Sequence, residues 1–371
     1  MIRAATRRLN NPESTMPMQA LRCGCSHHPL HCIIPPYMLE TMAESADAAV
    51  RKTAVAAIEV SAQARTLRST MQEMPAMAAL MSPSGKKNRQ VYDGQHLGQS
   101  SMPGVLVRGE GQPKVADVAV NEAYDHSGRT YDFFNTVFAR NSLDGQGMTL
   151  VSSVHLGHNI NNAFWNGRQM MYGDGDGHAF LRFTRSLDVV GHELTHGVIA
   201  HECNLRYQGQ SGALNEHFAD VFGILVRQWR LKQSAKKADW LIGRELLGPA
   251  ATKARGLRDF GPGKAYEDDP AIGTDPQPKH MQSLYTGPGD FGGVHINSGI
   301  PNHAFYLFAR RLGGPAWQLP GAIWYEAMRK LSANSDFGEM VSTTLMIASD
   351  QHGAGSTVHK ALQDAWQAVG L

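Results

Sequence analysis

The spacing of apolar and polar residues divides the first half of the chain into a helical segment and a strand-rich segment. Residues 38–74 contain no Gly or Pro and are rich in Ala, which predicts one long helix or a helical hairpin that ends before Pro75. The residues before them show no regular pattern. From about 104 to 183, short apolar runs such as 105–107 alternate with Gly and Asn turns, and one helical pattern interrupts them at 115–138.

The second half of the chain is predicted to be mainly helical. Six segments after Ser186 carry apolar residues at helical spacing. They are residues 187–200, 214–231, 302–311, 321–331, 337–350 and 358–369. Residues 249–290 form a long stretch rich in Gly, Pro and Asp, and loops of that length inside a compact chain are usually functional. The whole pattern predicts an α+β fold with a strand-rich N-terminal lobe and a mainly helical C-terminal lobe.

A change in composition marks a boundary after the N-terminal segment. Residues 76–103 are enriched in Ser, Gly, Lys, Asn and Gln, which is typical of an exposed linker that proteases can cut. At 371 residues the chain can bury two ordinary cores. We therefore predict four regions. They are an N-terminal segment at 1–75, a linker with the maturation site at 76–103, a strand-rich lobe at 104–200 and a helical lobe at 201–371.

Composition and charge exclude several classes of protein. Apolar residues make up 42% of the chain and charged residues 18%, as in folded globular proteins. Lys and Arg number 35 against 33 Asp and Glu, so the net charge of +2 gives no reason to expect a nucleic acid or an anionic membrane as partner. No stretch reaches the roughly 18 consecutive apolar residues of a membrane span.

The strongest chemical signal is an H-E-x-x-H sequence formed by His192, Glu193 and His196. The apolar spacing of residues 187–190 before it is helical, and two His at i and i+4 share a helix face on which both can bind one ion. The Glu between them lies close enough to polarise a metal-bound water. A match this short also occurs by chance, so the prediction of a zinc site depends on finding a third ligand.

Glu216 is the candidate for that third ligand. It lies in the segment 212–220, whose apolar positions predict a second helix beside the first. Two His and one Glu leave one tetrahedral zinc position for water, which is the catalytic arrangement. The competing pattern H-E-x-x-H-x-x-G-x-x-H fails, because Ile199 and Glu202 stand where Gly and His are required. The alternative interpretation of Glu216 is a solvated helix residue.

With these residues the chain resembles the thermolysin family of zinc neutral metallopeptidases. Residues 161–166 and 171–175 match the family's substrate-edge strand, and residues 293–300 match the segment that carries its second catalytic histidine. The resemblance covers about residues 100 to 371. Residues 33–39 are similar to the short propeptide of the protealysin-like branch.

The resemblance implies a two-lobed metallopeptidase fold with the zinc cleft between the lobes, preceded by a helical propeptide at 1–75. It implies a zinc endopeptidase with one catalytic Zn²⁺ ion, which acts on proteins or peptides and is inhibited by its own propeptide. It also implies secretion, although polar residues 10–13 stand where a signal peptide would carry its apolar stretch. The alternatives are an aminopeptidase, for which no G-x-M-E-N type segment is present, and a catalytically inactive zinc-binding or inhibitor protein.

Carried over position by position, the resemblance assigns roles to further residues. It implies that Glu193 is the general base and that Asp220 and Asn215 orient the two imidazole ligands, as metal-bound His side chains require. The residues implied in oxyanion stabilisation are His295, oriented by Asp290, and Tyr207. The residues implied in substrate binding are Asn162, Ala163 and Arg258, with an apolar pocket of Phe180, Phe183, Val189, Ile242 and Leu257 for the side chain after the cut.

The chain departs from the family at its double calcium site. The matching positions keep a carboxylate at Asp188 and Asp239, but the others are Arg227, Leu241 and Arg244. Ca²⁺ takes about six to eight oxygen ligands, and guanidinium groups supply none. We therefore expect the calcium site to be lost and the two Arg side chains to pair with the remaining carboxylates.

The cysteines do not predict a disulfide framework. Cys23, Cys25 and Cys32 crowd the N-terminal segment near several His, whereas Cys203 stands alone. A Cys that reached the active-site zinc would block its water position, but the spacing of this cluster matches no standard zinc module. We therefore interpret the cluster as a reactive tail.

Overall fold

The structure, a computed structural model, describes residues 31–71 and 86–371. The predictions that concern residues 1–30 and 72–85, including those for Cys23 and Cys25, lie outside the described residues. In the described residues, no helix is both long and apolar enough to cross a membrane.

A six-stranded mixed sheet forms the strand-rich part of the molecule. Its strands are β1 (His31–Cys32), β2 (Arg89–Asp93), β3 (Val105–Gly109), β4 (Leu150–Val154), β5 (Ala163–Trp165) and β6 (Met170–Tyr172). Their order across the sheet is β1-β5-β6-β4-β2-β3. A separate antiparallel pair consists of β7 (Leu241–Ile242) and β8 (Arg258–Asp259).

Helices dominate the rest of the described chain. They are α1 (Pro36–Ala43), α2 (Ala48–Met71), α3 (Val118–Phe138), α4 (Leu187–Glu202), α5 (Gly209–Leu231), α6 (Gly289–Asn297), α7 (Gly299–Leu312), α8 (Leu319–Lys330), α9 (Phe337–His352) and α10 (Thr357–Ala368). Each of the six helical segments predicted after Ser186 has its counterpart in α4, α5 or α7–α10. The spacing was sufficient there because the apolar residues of these segments recur at helical intervals.

The N-terminal segment differs from its prediction in two places. The described part of the predicted helical segment, residues 38–71, forms two helices, because the carboxylate of Asp47 accepts a hydrogen bond from the backbone N–H of Ala49 at 2.8 Å and so starts α2. The hairpin alternative is therefore the one that the structure contains. Residues 31–32, predicted to be irregular, form β1 and pair with β5.

Part of the region predicted as a linker, residues 76–103, is a strand of the sheet. Residues 89–93 within it form β2, which pairs in parallel with β4 and antiparallel with β3. The sequence of this strand lacks the apolar alternation that identifies a strand, and only Val91 of its five residues is fully buried. The pairing partners decide its conformation, and they are distant in sequence.

The backbones of α4 and α5 approach each other closely where the two helices cross. Every residue from Leu187 to Ile199 is buried, so α4 is a core helix and not a surface helix. A Cβ atom on Gly223 of α5 would lie 2.5 Å from the carbonyl oxygen of Asp188, and one on Gly191 would lie 3.2 Å from the Cα of Gly223. The two glycines let the backbones approach, which brings the polar side chains of both helices together.

Candidate active site

Three side chains converge where α4 and α5 cross. The Nε2 atoms of His192 and His196 are 3.1 Å apart, and each lies 3.5 Å from a carboxylate oxygen of Glu216. A tetrahedral Zn²⁺ with bonds of about 2.0–2.1 Å holds its ligand atoms roughly 3.3 Å apart. The spacing of this donor set therefore fits one zinc ion.

The hydrogen bonding around these side chains also fits a cation. Glu216 Oε2 and Glu193 Oε1 are buried without a hydrogen-bond partner among the described residues. A buried carboxylate oxygen without a hydrogen bond destabilises the fold, because a charged group has lost its contacts with water and gained no partner. A cation next to Glu216, with a water molecule between it and Glu193, would satisfy both atoms.

The side chains of Asn215 and Asp220 contact the Nδ1 atoms of the two imidazoles. Asn215 Oδ1 lies 2.8 Å from Nδ1 of His196, and Asp220 Oδ1 lies 2.9 Å from Nδ1 of His192. Burial favours the neutral form of Asp220, but the Arg258 guanidinium and His192 outweigh burial and hold the pKa of this carboxyl below its usual range. Asn215 and Asp220 thus contact the Nδ1 atoms of the two imidazoles, whose Nε2 atoms lie toward Glu216.

Glu193 is fully buried beside the three side chains. Its Oε2 accepts a hydrogen bond from the backbone N–H of Trp165 at 3.0 Å. Burial and the negative charge of Glu216 raise the pKa of the Glu193 carboxyl well above its ordinary value. A bound dication would act in the opposite direction, because a nearby positive charge favours the ionised carboxylate.

Two hydrogen-bond donors face the same space from the other side of the cleft. Nε2 of His295 lies 3.0 Å from the Tyr207 hydroxyl, and its Nδ1 lies 2.6 Å from Asp290. Burial opposes the charged form of His295, but the carboxylates of Glu216 and Asp290 outweigh it and raise the pKa of His295 to about 9. Burial raises the pKa of Tyr207 well above its ordinary value. Both groups are therefore placed to donate hydrogen bonds into this space.

An unusual backbone turn sets the position of His295. Four consecutive residues at 290–293 have left-handed φ angles of 50–82°. Such angles suit the two glycines, whereas for a bulky residue such as Phe291 they are outliers. The turn places the Asp290 carboxylate so that it accepts hydrogen bonds from the backbone N–H groups of both His295 and Ile296. Strain of this kind is characteristic of functional sites.

The N-terminal segment occupies the cleft beside these groups. Strand β1 pairs antiparallel with β5, with His31 opposite Trp165 and Cys32 opposite Phe164. His295 Nε2 donates to the Cys32 carbonyl at 3.2 Å. The residues predicted to bind substrate contact the next two positions of the segment. Ala163 O accepts from Ile33 N at 3.2 Å, Asn162 Oδ1 accepts from Ile34 N at 3.2 Å, and Arg258 Nη1 donates to Ile33 O at 3.2 Å.

The five residues of the predicted apolar pocket all belong to the main buried core. Phe180, Phe183, Val189, Ile242 and Leu257 are each at most 1% exposed, and Ile33 and Ile34 are buried in the same cluster. The rings of Phe180 and Phe183 lie 5.9 Å apart. Ile242 O accepts a hydrogen bond from Leu257 N at 2.7 Å, next to the register pair of Ile242 with Arg258.

Sequence reasoning missed the position of His31. Its ring stacks on that of His196, with centroids 4.2 Å apart, although nothing in the local sequence marks it as different from the other His of the segment. Cys32 belongs to the cysteine cluster from which a thiol could block the zinc position. It is buried in a second apolar cluster with Leu156, Phe164 and Met171.

A second His and Asp group lies near the N-terminus of α3. Ligand atoms of His96, His155 and Asp174 are within 4.8 Å of one another. The ring nitrogens of His155 already contact carboxylates, with Asp174 at 2.9 Å and Asp117 at 2.7 Å. These two carboxylates raise the pKa of His155 to about 9 against the effect of burial. The group is therefore an ion-pair network that fixes the start of α3.

The central site, with two His and one Glu on crossing helices and a further buried Glu beside them, defines a metal-dependent hydrolase. Two family models match the chain, "Thermolysin metallopeptidase, catalytic domain" over residues 82–200 and "Thermolysin metallopeptidase, alpha-helical domain" over residues 203–371. The chain belongs to the thermolysin family of metallopeptidases.

Individual relatives support the same assignment. The extracellular metalloprotease of Pectobacterium carotovorum subsp. carotovorum is 49% identical over 292 residues, which cover 78% of this chain and 82% of that protein. Protease PrtS of Photorhabdus sp. (strain Az29) is 48% identical over 76% of each chain. The solved structure of the precursor of protealysin, a metalloproteinase from Serratia proteamaculans, has a TM-score of 0.82 and 45% identity, covering 92% of this chain and 99% of that one. The predicted family and the predicted two-lobed fold are thus confirmed.

Proposed function

We propose that His192, His196 and Glu216 hold the catalytic zinc of this zinc endopeptidase and that Glu193 is its general base. The observation that carries the proposal is the convergence of the three ligand side chains, with donor atoms 3.1–3.5 Å apart, beside a buried carboxylate. Zinc supplies Lewis acidity at such a site and lowers the pKa of water bound to it.

The protein side chains divide the remaining work. Glu193 takes a proton from the attacking water and passes it to the leaving amine. His295 and Tyr207 donate hydrogen bonds to the oxyanion that develops on the substrate carbonyl, and Asp290 keeps the His295 ring in place. Asn215 and Asp220 fix the rings of the two His ligands.

Substrates bind along β5 in the position that the N-terminal segment occupies. Asn162, Ala163 and Arg258 bind the backbone just after the scissile bond, as they bind Ile33 and Ile34 here. The buried pocket of Phe180, Phe183, Val189, Ile242 and Leu257 favours a bulky apolar side chain after the cut. Digestion of casein followed by mass spectrometry of the products tests both the endopeptidase activity and this preference. Release of single N-terminal residues would favour the aminopeptidase alternative, and zinc binding without any digestion would favour the inactive protein.

Residues 1–75 act as a propeptide that inhibits the enzyme until it is cut off within the following linker. Strand β1 fills the cleft, and the helical part is attached to the catalytic body, for example through Thr53 Oγ1 donating to Asp176 at 2.7 Å and His178 Nε2 lying 2.7 Å from Asp47. Because β2 belongs to the catalytic sheet, the strand-rich lobe begins near residue 86 instead of 104. The enzyme acts outside the cell, in keeping with the extracellular relative.

Replacing His295 with Ala is expected to lower kcat by about 10²–10³ with little change in KM, because the side chain donates mainly in the transition state. Steady-state kinetics of the mature variant on a peptide substrate measures both constants. His303→Ala, which removes a half-buried His of α7 outside the cleft, is the matched control and should leave kcat unchanged. An unchanged kcat for His295→Ala would remove this residue from the mechanism.

Arginine side chains replace calcium in the loop around β7. Arg227 lies 3.6 Å from Asp239 and 3.9 Å from both Asp188 and Glu245, and Arg244 lies 3.1 Å from Asp239. Two fixed cations among three carboxylates already balance much of their charge and would repel Ca²⁺.

Selective removal of calcium, with zinc buffered, is therefore expected to leave the melting temperature and the resistance to self-digestion nearly unchanged. Differential scanning calorimetry with and without a calcium-selective chelator measures the effect. A fall of more than about 10 °C, several kcal/mol for a domain of this size, would show that a structural calcium site is present.

A further inference from the structure

The N-terminal segment lies in the cleft in the position of a substrate. The Cys32 carbonyl accepts a hydrogen bond from His295 Nε2, the proposed oxyanion donor, and the Ile33 carbonyl accepts one from Arg258. The peptide bond between Cys32 and Ile33 thus lies where substrates are to be cut. A propeptide that survives in this place needs a feature that keeps the attacking water away.

The side chain of His31 is placed to do this. It is 6% exposed, stacks on His196 at an interplanar angle of 24°, and meets the Tyr207 ring edge-on with centroids 4.5 Å apart. Ligand atoms of His31, His196 and Glu216 all lie within 4.8 Å of one another. A fourth donor of zinc-binding type is therefore present next to two of the proposed ligands.

Strand geometry explains why His31 faces the ligands and Cys32 does not. Successive side chains of a strand point to opposite faces. Cys32 lies in the apolar cluster with Leu156 and Phe164, so its neighbour His31 points to the other face, where His196 lies. The pairing of β1 with β5 and the contacts of Ile33 hold the backbone in this register. A one-residue slip would exchange the two side chains.

The ligand atom of His31 lies only slightly farther from those of His196 and Glu216 than two ligands of one zinc ion do. Ligand atoms on a tetrahedral zinc are roughly 3.3 Å apart, so the separation of at most 4.8 Å between the ligand atoms of His31, His196 and Glu216 exceeds this spacing by at most about 1.5 Å. Because the ring of His31 lies nearly parallel to that of His196, at 24°, its in-plane lone pairs do not yet point at an ion bound by His196. Coordination therefore also requires the His31 ring to turn about its Cβ–Cγ bond, a torsion that is broad for His and leaves the paired backbone in place.

We propose that in the intact chain the imidazole of His31 occupies the fourth coordination position of the active-site zinc. The proposal rests on the ligand set of the proposed function. A neutral imidazole enters and a water molecule leaves, and no covalent bond is broken. The zinc site then has three His and one Glu, a closed set of four protein ligands with no position for water. Removal of the propeptide takes the fourth ligand away and returns the position to water.

The test uses the full-length Glu193→Gln precursor, which keeps all the ligands but does not process itself. X-ray absorption at the zinc edge is expected to show three imidazoles in this precursor. The matched variant His31→Phe in the same background retains a flat ring against His196 and Tyr207 but has no ligand atom. It is expected to show two imidazoles and to bind zinc more weakly in competition with a chelator, by at least the roughly 10–100-fold in affinity that removal of an outer-shell partner costs.

The outcomes separate this proposal from the proposed function. If the Glu193→Gln precursor binds one zinc through two imidazoles, and the His31→Phe variant binds zinc equally well, the role of His31 is overturned. The ligand set of the proposed function would then still stand. A precursor that binds no zinc would contradict the ligand set and this proposal together. The number of imidazoles bound to zinc in the precursor tests the role of His31 even if the His31→Phe variant does not fold.

Discussion

Glu193→Gln is expected to lower kcat/KM by several orders of magnitude while zinc stays bound at one ion per chain. Positioned proton transfer contributes roughly 10²–10⁴-fold to such reactions, and the amide of Gln can neither accept the proton of water nor deliver it to the amine. The substitution is nearly isosteric and preserves an oxygen that can accept the Trp165 N–H. The three ligands are untouched.

Mature protein, with the propeptide removed by an added protease, is the material for this measurement. Zinc content by atomic absorption and kinetics on a peptide substrate are measured on the same sample. Glu216→Gln is the matched control, since it removes a ligand from the same buried cluster and should lose zinc together with activity. If Glu193→Gln kept more than about a tenth of the activity, another group would have to be the base.

The second large effect concerns maturation. The full-length wild-type chain is expected to be inactive, with activity appearing in step with a cut between about residues 71 and 88. Strand β1 fills the cleft up to the oxyanion donors, so substrate and propeptide cannot be bound together. The cut falls before β2, because β2 lies between β4 and β3 in the sheet and its backbone is hydrogen-bonded on both sides.

Mass spectrometry of the chain during incubation at neutral pH, with activity measured in parallel, tests this expectation. The Glu193→Gln precursor should stay full length if the enzyme cuts itself, and should be cut on addition of a small amount of wild-type enzyme if the reaction is intermolecular. Active enzyme that still carries residues 1–70 covalently attached would contradict the role of the propeptide.

The sequence by itself determined the features that depend on local spacing. The interval from His192 to His196 is one helical turn, so any α-helix places both imidazoles on one face. The helices of the second half were predictable for the same reason, because an apolar face recurs every three to four residues. The sequence also predicted Glu216 as the third ligand from its place in a second predicted helix, and the resemblance implied a role for His295, which lies in a long and specific segment.

Only the tertiary structure decided the features that depend on pairing between distant segments. β1 is two residues long and β2 buries only Val91, so neither carries a pattern of its own, and both become strands through hydrogen bonds to partners far along the chain. The different surroundings of His31 and Cys32 have the same origin. The register of β1 against β5 directs one side chain to the proposed zinc ligands and the other to an apolar cluster, and a strand's register is set by its neighbour and not by its own residues.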